Sequence, residues 1–154
     1  MNGDKASINA AGMDVPITDD IKKAFKEALE MMKAGRLVSL IKDKEYGLSV
    51  VGESKVEGKA VMGVHVTAKG KKEFNLFFNK ETNLLAKTEY RTVSGVIQKE
   101  VTEERIILAY AKKDKDGPLM PKKIVVKHDG EQFLEAEVIE VKLLESIDES
   151  EFKK

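Results

Sequence analysis

The chain has 154 residues, with 27 Lys and Arg against 27 Asp and Glu and no cysteine. Zero net charge gives no global field to steer it to nucleic acid or an anionic membrane, and arginine, best suited to phosphate and base recognition, occurs only as Arg36, Arg91 and Arg105. Without cysteine, disulfides, thiol catalysis, zinc–thiolate sites and iron–sulfur clusters fall together.

The length predicts one domain over 1–154, long enough to bury a sizeable core. The charged fraction of 35% exceeds the roughly 25% of ordinary domains. That excess fits a thermophile or the wet face of a one-sided sheet, and we read the second. No stretch approaches the roughly 18 apolar residues of a membrane span, so membrane association is expected to be peripheral at most. Met1 to Asp4 is polar and lacks the basic and apolar regions of a signal peptide. A mature exported protein started from a new Met would read the same way.

Residues 1–16 hold weak strand patterning: Ala6, Ile8 and Ala10 alternate with Ser7 and Asn9, Gly12 interrupts, and Met13-Asp14-Val15 resumes. This predicts a short hairpin at a sheet edge. Residues 17–45 are the helical segment. Ile21, Ala24, Phe25, Ala28, Leu29 and Met32 form one stripe of a 3.6-residue period. Thr18 is the expected N-cap, Asp19 and Asp20 suit the first turn, and Gly35 is placed to end the helix. Leu37, Val38, Leu40 and Ile41 predict a second helical turn.

From Tyr46 the period becomes two, and 46–144 reads as an antiparallel meander. The predicted strands are Leu48–Val56, Ala60–Ala68, Phe74–Asn79, Leu84–Val93, Val96–Tyr110, Met120–His128 and Gln132–Leu144. Glu57-Gly58, Gly70, Lys80 to Asn83, Ser94-Gly95, Asp116-Gly117-Pro118 and Asp129-Gly130 supply the turns. In the last strand the apolar parity changes between Val138 and Ile139, which calls for a β-bulge or for burial of both faces. Residues 145–154 form an acidic tail anchored by Ile147 and Phe152. The expected fold class is α+β: a curved antiparallel meander, or half-barrel, with the Thr18–Lys33 helix packed on its concave face.

Catalytic chemistry finds little support. His65 and His128 lie on separate strands without metal-ligand spacing and read as surface or rim residues. Asp114-Lys115-Asp116-Gly117 brushes the calcium-loop pattern but has Lys112 and Lys123 where carboxylates are required. Glu135 and Glu137 share one side of a strand, as a solvent face would place them. Ser39 and Ser54 lack a nucleophile context. We therefore expect no enzyme and no cofactor. Phe25, Leu29, Met32, Met62, Val64, Phe74, Leu76, Phe78, Met120 and Ile124 are candidates to line an apolar cavity between helix and sheet, with ordinary core packing as the competing reading.

The hairpin from Phe74 through Asn79-Lys80-Glu81-Thr82-Asn83 to Leu84-Leu85-Ala86-Lys87 resembles the strand, N-K-E-T, Leu-Leu, basic signature of the LolA, LolB and LppX lipoprotein carriers. Tyr110, Gly117, Pro121 and Ile124, followed by Asp129-Gly130 and the closing Phe152, resemble a second signature of that superfamily, which also includes the RseB-type sensor domain. The match is closer still to exported planctomycete-type members and covers roughly 37–152. The carriers have about eleven strands, against seven firm ones and a weaker pair here. The arginine with which LolA engages its cargo has no counterpart, so no binding residue is carried over. The resemblance implies a non-enzymatic, periplasmic or otherwise exported protein, with a lipid or acylated protein as partner. The alternative is a protein-interaction or envelope-sensor domain with a filled core. A monomer or an edge-strand homodimer through the border at Lys5 to Ala10 is expected.

Overall fold

The computed structural model describes residues 8–10, 13–15, 37–94, 99–111 and 119–141, positions 17–31 apart from 20, 21, 24, 25 and 28, and residues 146 and 148. The chain divides into two compact units, one of Met1–Ser39 with Val141–Lys154, the other of Leu40–Glu140. In the first unit, β1 (Ile8–Ala10) pairs antiparallel with β2 (Met13–Val15), Ile8 opposite Val15. The expected hairpin partners are found, and among the described residues they form a two-stranded sheet of their own. Asp19, Lys22, Lys23, Lys26, Glu27, Leu29, Glu30 and Met31 are helical.

The second unit is an open seven-stranded antiparallel sheet in strict chain order. Its strands are β3 (Tyr46–Val56), β4 (Lys59–Ala68), β5 (Phe74–Asn79), β6 (Leu85–Val93), β7 (Glu100–Tyr110), β8 (Pro121–His128) and β9 (Glu131–Glu137). A short helix, Val38–Lys42, straddles the boundary between the units and buries Leu40. The turns follow their chemistry. Glu57-Gly58 and Asp129-Gly130 have positive φ at both positions, the two-residue type I′ geometry whose twist matches that of the strands. In the β5–β6 hairpin the Asn79 side-chain oxygen accepts from the backbone N–H groups of Glu81 and Thr82 and from the Thr82 hydroxyl. Asn83 takes φ 58°, as a loop asparagine can.

Strand register sorts the side chains into two faces. Gly63, Phe77, Lys87, Ile106 and Val125 share one row, and His65, Asn75, Glu89, Glu104 and Lys127 share the next on the same face. The sheet bends toward this face. Counted along the register, a flat sheet would hold Lys127 about 28 Å from the Glu57 turn. Their charged groups are 3.3 Å apart, which only strong coiling permits. On this inner face Val56, Val61, Phe77 and Ile106 form a buried cluster with Ala86 packed against it. Gly63 fits closely there: a Cβ would stand 3.0 Å from Val51 Cβ and 3.1 Å from the Phe77 ring, so either neighbour would have to shift.

Three expectations are corrected. Among the described residues no amphipathic helix packed on the sheet is found, and Leu29, in the middle of the predicted stripe, is 40% exposed. The physical reason is that the coiled sheet fills its own concave side with the side chains of Val56, Val61, Phe77, Ile106 and Ala86, from β3 to β7. The expected helix-filled half-barrel is therefore replaced by an open sheet. The parity change near Val138 is neither a bulge nor double burial. β9 ends at Glu137, and Val138, Ile139 and Val141 beyond it are exposed. The irregularity of this hairpin lies earlier, where Phe133 is the extra residue between the Val126–Leu134 and Lys127–Gln132 pairs. The predicted turns at Gly95 and Asp116 to Pro118 lie outside the described residues.

Candidate functional site

The outer face gathers six of the ten residues expected to line an apolar site. Leu48, Val66 and Phe74 form one cross-strand row, Val50, Val64 and Leu76 the next, and Met62 with Phe78 a third. Ile124 stands on the same face, between Ile107 and Ala136. Phe74 and Leu76 are buried, Leu76 to 1% exposure, whereas Met62, Val64, Phe78 and Ile124 are half-buried. Met120 precedes β8 and is exposed. Leu29 belongs to the other unit, and Phe25 and Met32 lie outside the described residues. Six of the ten are thus brought together on one face of the sheet.

Across β6 to β9 the same face turns polar. Glu103 accepts hydrogen bonds from the Tyr90 hydroxyl, from Arg105 Nε at 2.7 Å and from His128 Nε2 at 3.3 Å. Phe133 stacks on the His128 ring at 4.2 Å between centroids, which its bulged position allows. Burial pushes the Glu103 carboxyl up, and the Tyr90, Arg105 and His128 donors more than reverse this, holding it below the usual carboxylate range. Burial, and then the bond to Glu103, raise the Tyr90 phenol well above its ordinary value.

The inner face carries a second network. Lys87 donates to Glu89 and to Glu104, each at 2.7 Å, and sits 4.4 Å above the Phe77 ring. Burial lowers the Lys87 ammonium, but its bonds to Glu104 and Glu89 outweigh that and raise it. Asn75 donates to Glu89 at 3.1 Å, so its oxygen must accept from His65 Nδ1 at 2.8 Å. His65 Nε2 then faces Glu73 at 3.4 Å. Beside this ladder opens a concavity of about 470 Å³, lined by His65, Glu73, Asn75, Glu89, Arg91 and Glu100 among others. Arg91 meets Glu100 there at 3.2 Å and His65 Nε2 lies 3.4 Å from Glu73, so it is a wet, polar surface.

Sequence reasoning missed both networks. It took the two histidines singly and gave Lys87 and Glu89 no partners. The signal available was their register: each network lies across neighbouring strands and shows only when the strands are aligned. Among the described residues no group of three or more His, Cys, Asp or Glu could hold a metal ion, and no helix is long and apolar enough to cross a membrane. No family model, no curated protein and no solved structure matches this chain.

Proposed function

We propose that the chain is a non-enzymatic binding domain that takes an apolar ligand, a lipid or an acyl chain, on the outer face of its coiled sheet. The observation that carries this reading is the register of β3, β4 and β5. It sets Leu48, Val66, Phe74, Val50, Val64 and Leu76 in two successive rows without a charged residue. Leu48 and Val50 keep 52% and 74% of their surface exposed. Val66, Phe74 and Leu76 are buried, so the accessible part is Leu48 and Val50 with half-buried Val64, where an acyl chain gains about 0.8 kcal/mol for each methylene it buries. On the resemblance set out above, we place the domain outside the cytoplasm, with a lipid or an acylated protein as its partner.

Native mass spectrometry after gentle purification, combined with titration of a fluorescent fatty acid, tests this. Co-purified lipid and saturable binding that weakens in Val64→Glu are the expected results. A clean mass of 17.1 kDa together with no fatty-acid binding refutes the reading. A second reading, a protein-interaction or sensor domain without a ligand, is favoured by one observation: the inner face is already filled by Val56, Val61, Phe77 and Ile106. The refuting result of the first test is the result this second reading expects.

A further inference from the structure

The seven-stranded sheet has two free edges among the described residues, β3 and β9, and they are not equivalent. Unpaired edge N–H and C=O groups recruit another chain unless charge, irregularity or cover prevents it. β9 is protected. It carries Glu131, Glu135 and Glu137 in seven residues, the last two beside Lys123 at 2.8 Å and Lys122 at 3.6 Å, and Phe133 interrupts its pairing with β8. A second β9 laid antiparallel about Leu134 would set Glu131 directly against Glu137, a like-charge pair that costs stability.

The first half of β3 has none of these defences. Tyr46-Gly47-Leu48-Ser49-Val50 is uncharged and regularly paired to β4. Its irregularity comes only afterwards, at Val51 and at Gly52 with φ +122°. The nearest flanking charge, Glu45, is already answered by Lys71 at 3.7 Å. Tyr46, Leu48 and Val50 project to the outer face, and Gly47 and Ser49, both small, to the inner.

We infer that this stretch is a self-pairing edge and that its partner is a second copy of the chain. The sequence is self-complementary in one register. Laid antiparallel about Leu48, it sets Leu48 against Leu48, Tyr46 against Val50 of the partner, and Gly47 against Ser49. Apolar side chains meet on one face, small residues meet on the other, and no charge faces a like charge. The contact is isologous, so it closes on two copies instead of growing into a filament. It joins the outer faces of two sheets into one continuous surface. It is independent of the ligand proposed above, since backbone pairing along an edge needs no lipid.

The absence of cysteine makes a direct test possible. Residues directly opposite in an antiparallel pair have Cα atoms about 4.5–5.5 Å apart, within disulfide range. Under mild oxidation with diamide, Leu48→Cys is expected to form a covalent dimer, and Leu134→Cys, equally exposed on the protected edge, to remain largely monomeric. In sedimentation, the mass of the unmodified chain is expected to rise from 17.1 kDa toward twice that value with concentration. Leu48→Lys, which sets two ammonium groups against each other, abolishes that rise while the circular dichroism of the sheet stays unchanged. A constant monomer mass, a rise that survives Leu48→Lys, or equal cross-linking of the two cysteine variants would overturn the inference.

Discussion

Replacing Lys87 by Met tests whether the inner face is held by its charge network or by apolar packing alone. The Lys87 side chain is 13% exposed and lies 2.7 Å from each of Glu89 and Glu104. Met keeps the stem and its contact with the Phe77 ring, so little packing is lost. What remains is a pair of carboxylates, Glu89 and Glu104, directly opposite on β6 and β7 with no cation between them. Breaking a buried pair costs about 3–5 kcal/mol, and a hydrogen bond to a charged group contributes about 1.5–3 kcal/mol. The two glutamates are 26% and 21% exposed, which softens the loss. The expected destabilisation at pH 7 is about 2–4 kcal/mol.

The pH dependence is the sharper part of the test. Burial raises the Glu89 carboxyl, but its bonds from Lys87 and Asn75 outweigh this and hold it below the ordinary value. Its contribution is therefore present above the unfolded pKa of about 4.3 and is lost as the pH falls through the lower folded value. Lys87 is raised, so its contribution is present below about pH 10.4 and is lost as the pH climbs through the folded value. The gap between the two proteins should be widest between about pH 5 and pH 10 and narrow on both sides. Urea unfolding across this range, with the midpoint moving at constant slope, measures it. A variant within about 0.5 kcal/mol of the original at pH 7, or a gap undiminished in acid, refutes the network as a stabilising element.

Glu103→Gln is expected to cost about 1–3 kcal/mol at neutral pH, because Arg105 loses its carboxylate. Glu103 is held below its ordinary value, so the cost should disappear in acid, and thermal melts showing equal losses at both pH values would contradict this. Leu76→Ala, at a side chain 1% exposed, should cost about 2–5 kcal/mol. Leu29→Asp, at a position 40% exposed, should change stability by less than about 1 kcal/mol, and comparable losses for both would restore the buried helix stripe.

The strands and turns were legible because their signals are local. Alternation over Phe74 to Asn79 and the Asp129-Gly130 dipeptide need no knowledge of distant residues, and the antiparallel sheet they predict is found. The direction of bending was not legible. On β5 both alternating sets are apolar, with Phe74, Leu76 and Phe78 on one face and Phe77 on the other, so periodicity could not say which side is concave. Nor does Lys87 mark the wet side by its type, since a charge neutralised by two neighbours can be buried where an isolated one cannot. The bulge between the Phe77–Lys87 and Phe78–Leu85 pairs sets Ala86 against the inner cluster, although simple alternation puts it with Thr88 and Tyr90 on the opposite face. The helix misjudgement had a different source. An amphipathic stripe shows that a helix needs a partner; it does not name one. The candidate apolar residues were legible as a set, and the surface they share became visible only through the register of β4 and β5.

Every pairing in the large sheet joins strands adjacent in the chain. As the polypeptide leaves the ribosome, each new strand therefore meets a partner that has already been made. No half-finished segment has to wait for a distant one, the delay that slows the folding of sheets built on long-range pairing. The inner cluster joins Val56 to Ile106, and the clasp between Lys127 and Glu57 reaches farther along the chain. The cluster can form once β7 has emerged and the clasp only after β8, so the sheet acquires its coil in the later part of its own synthesis.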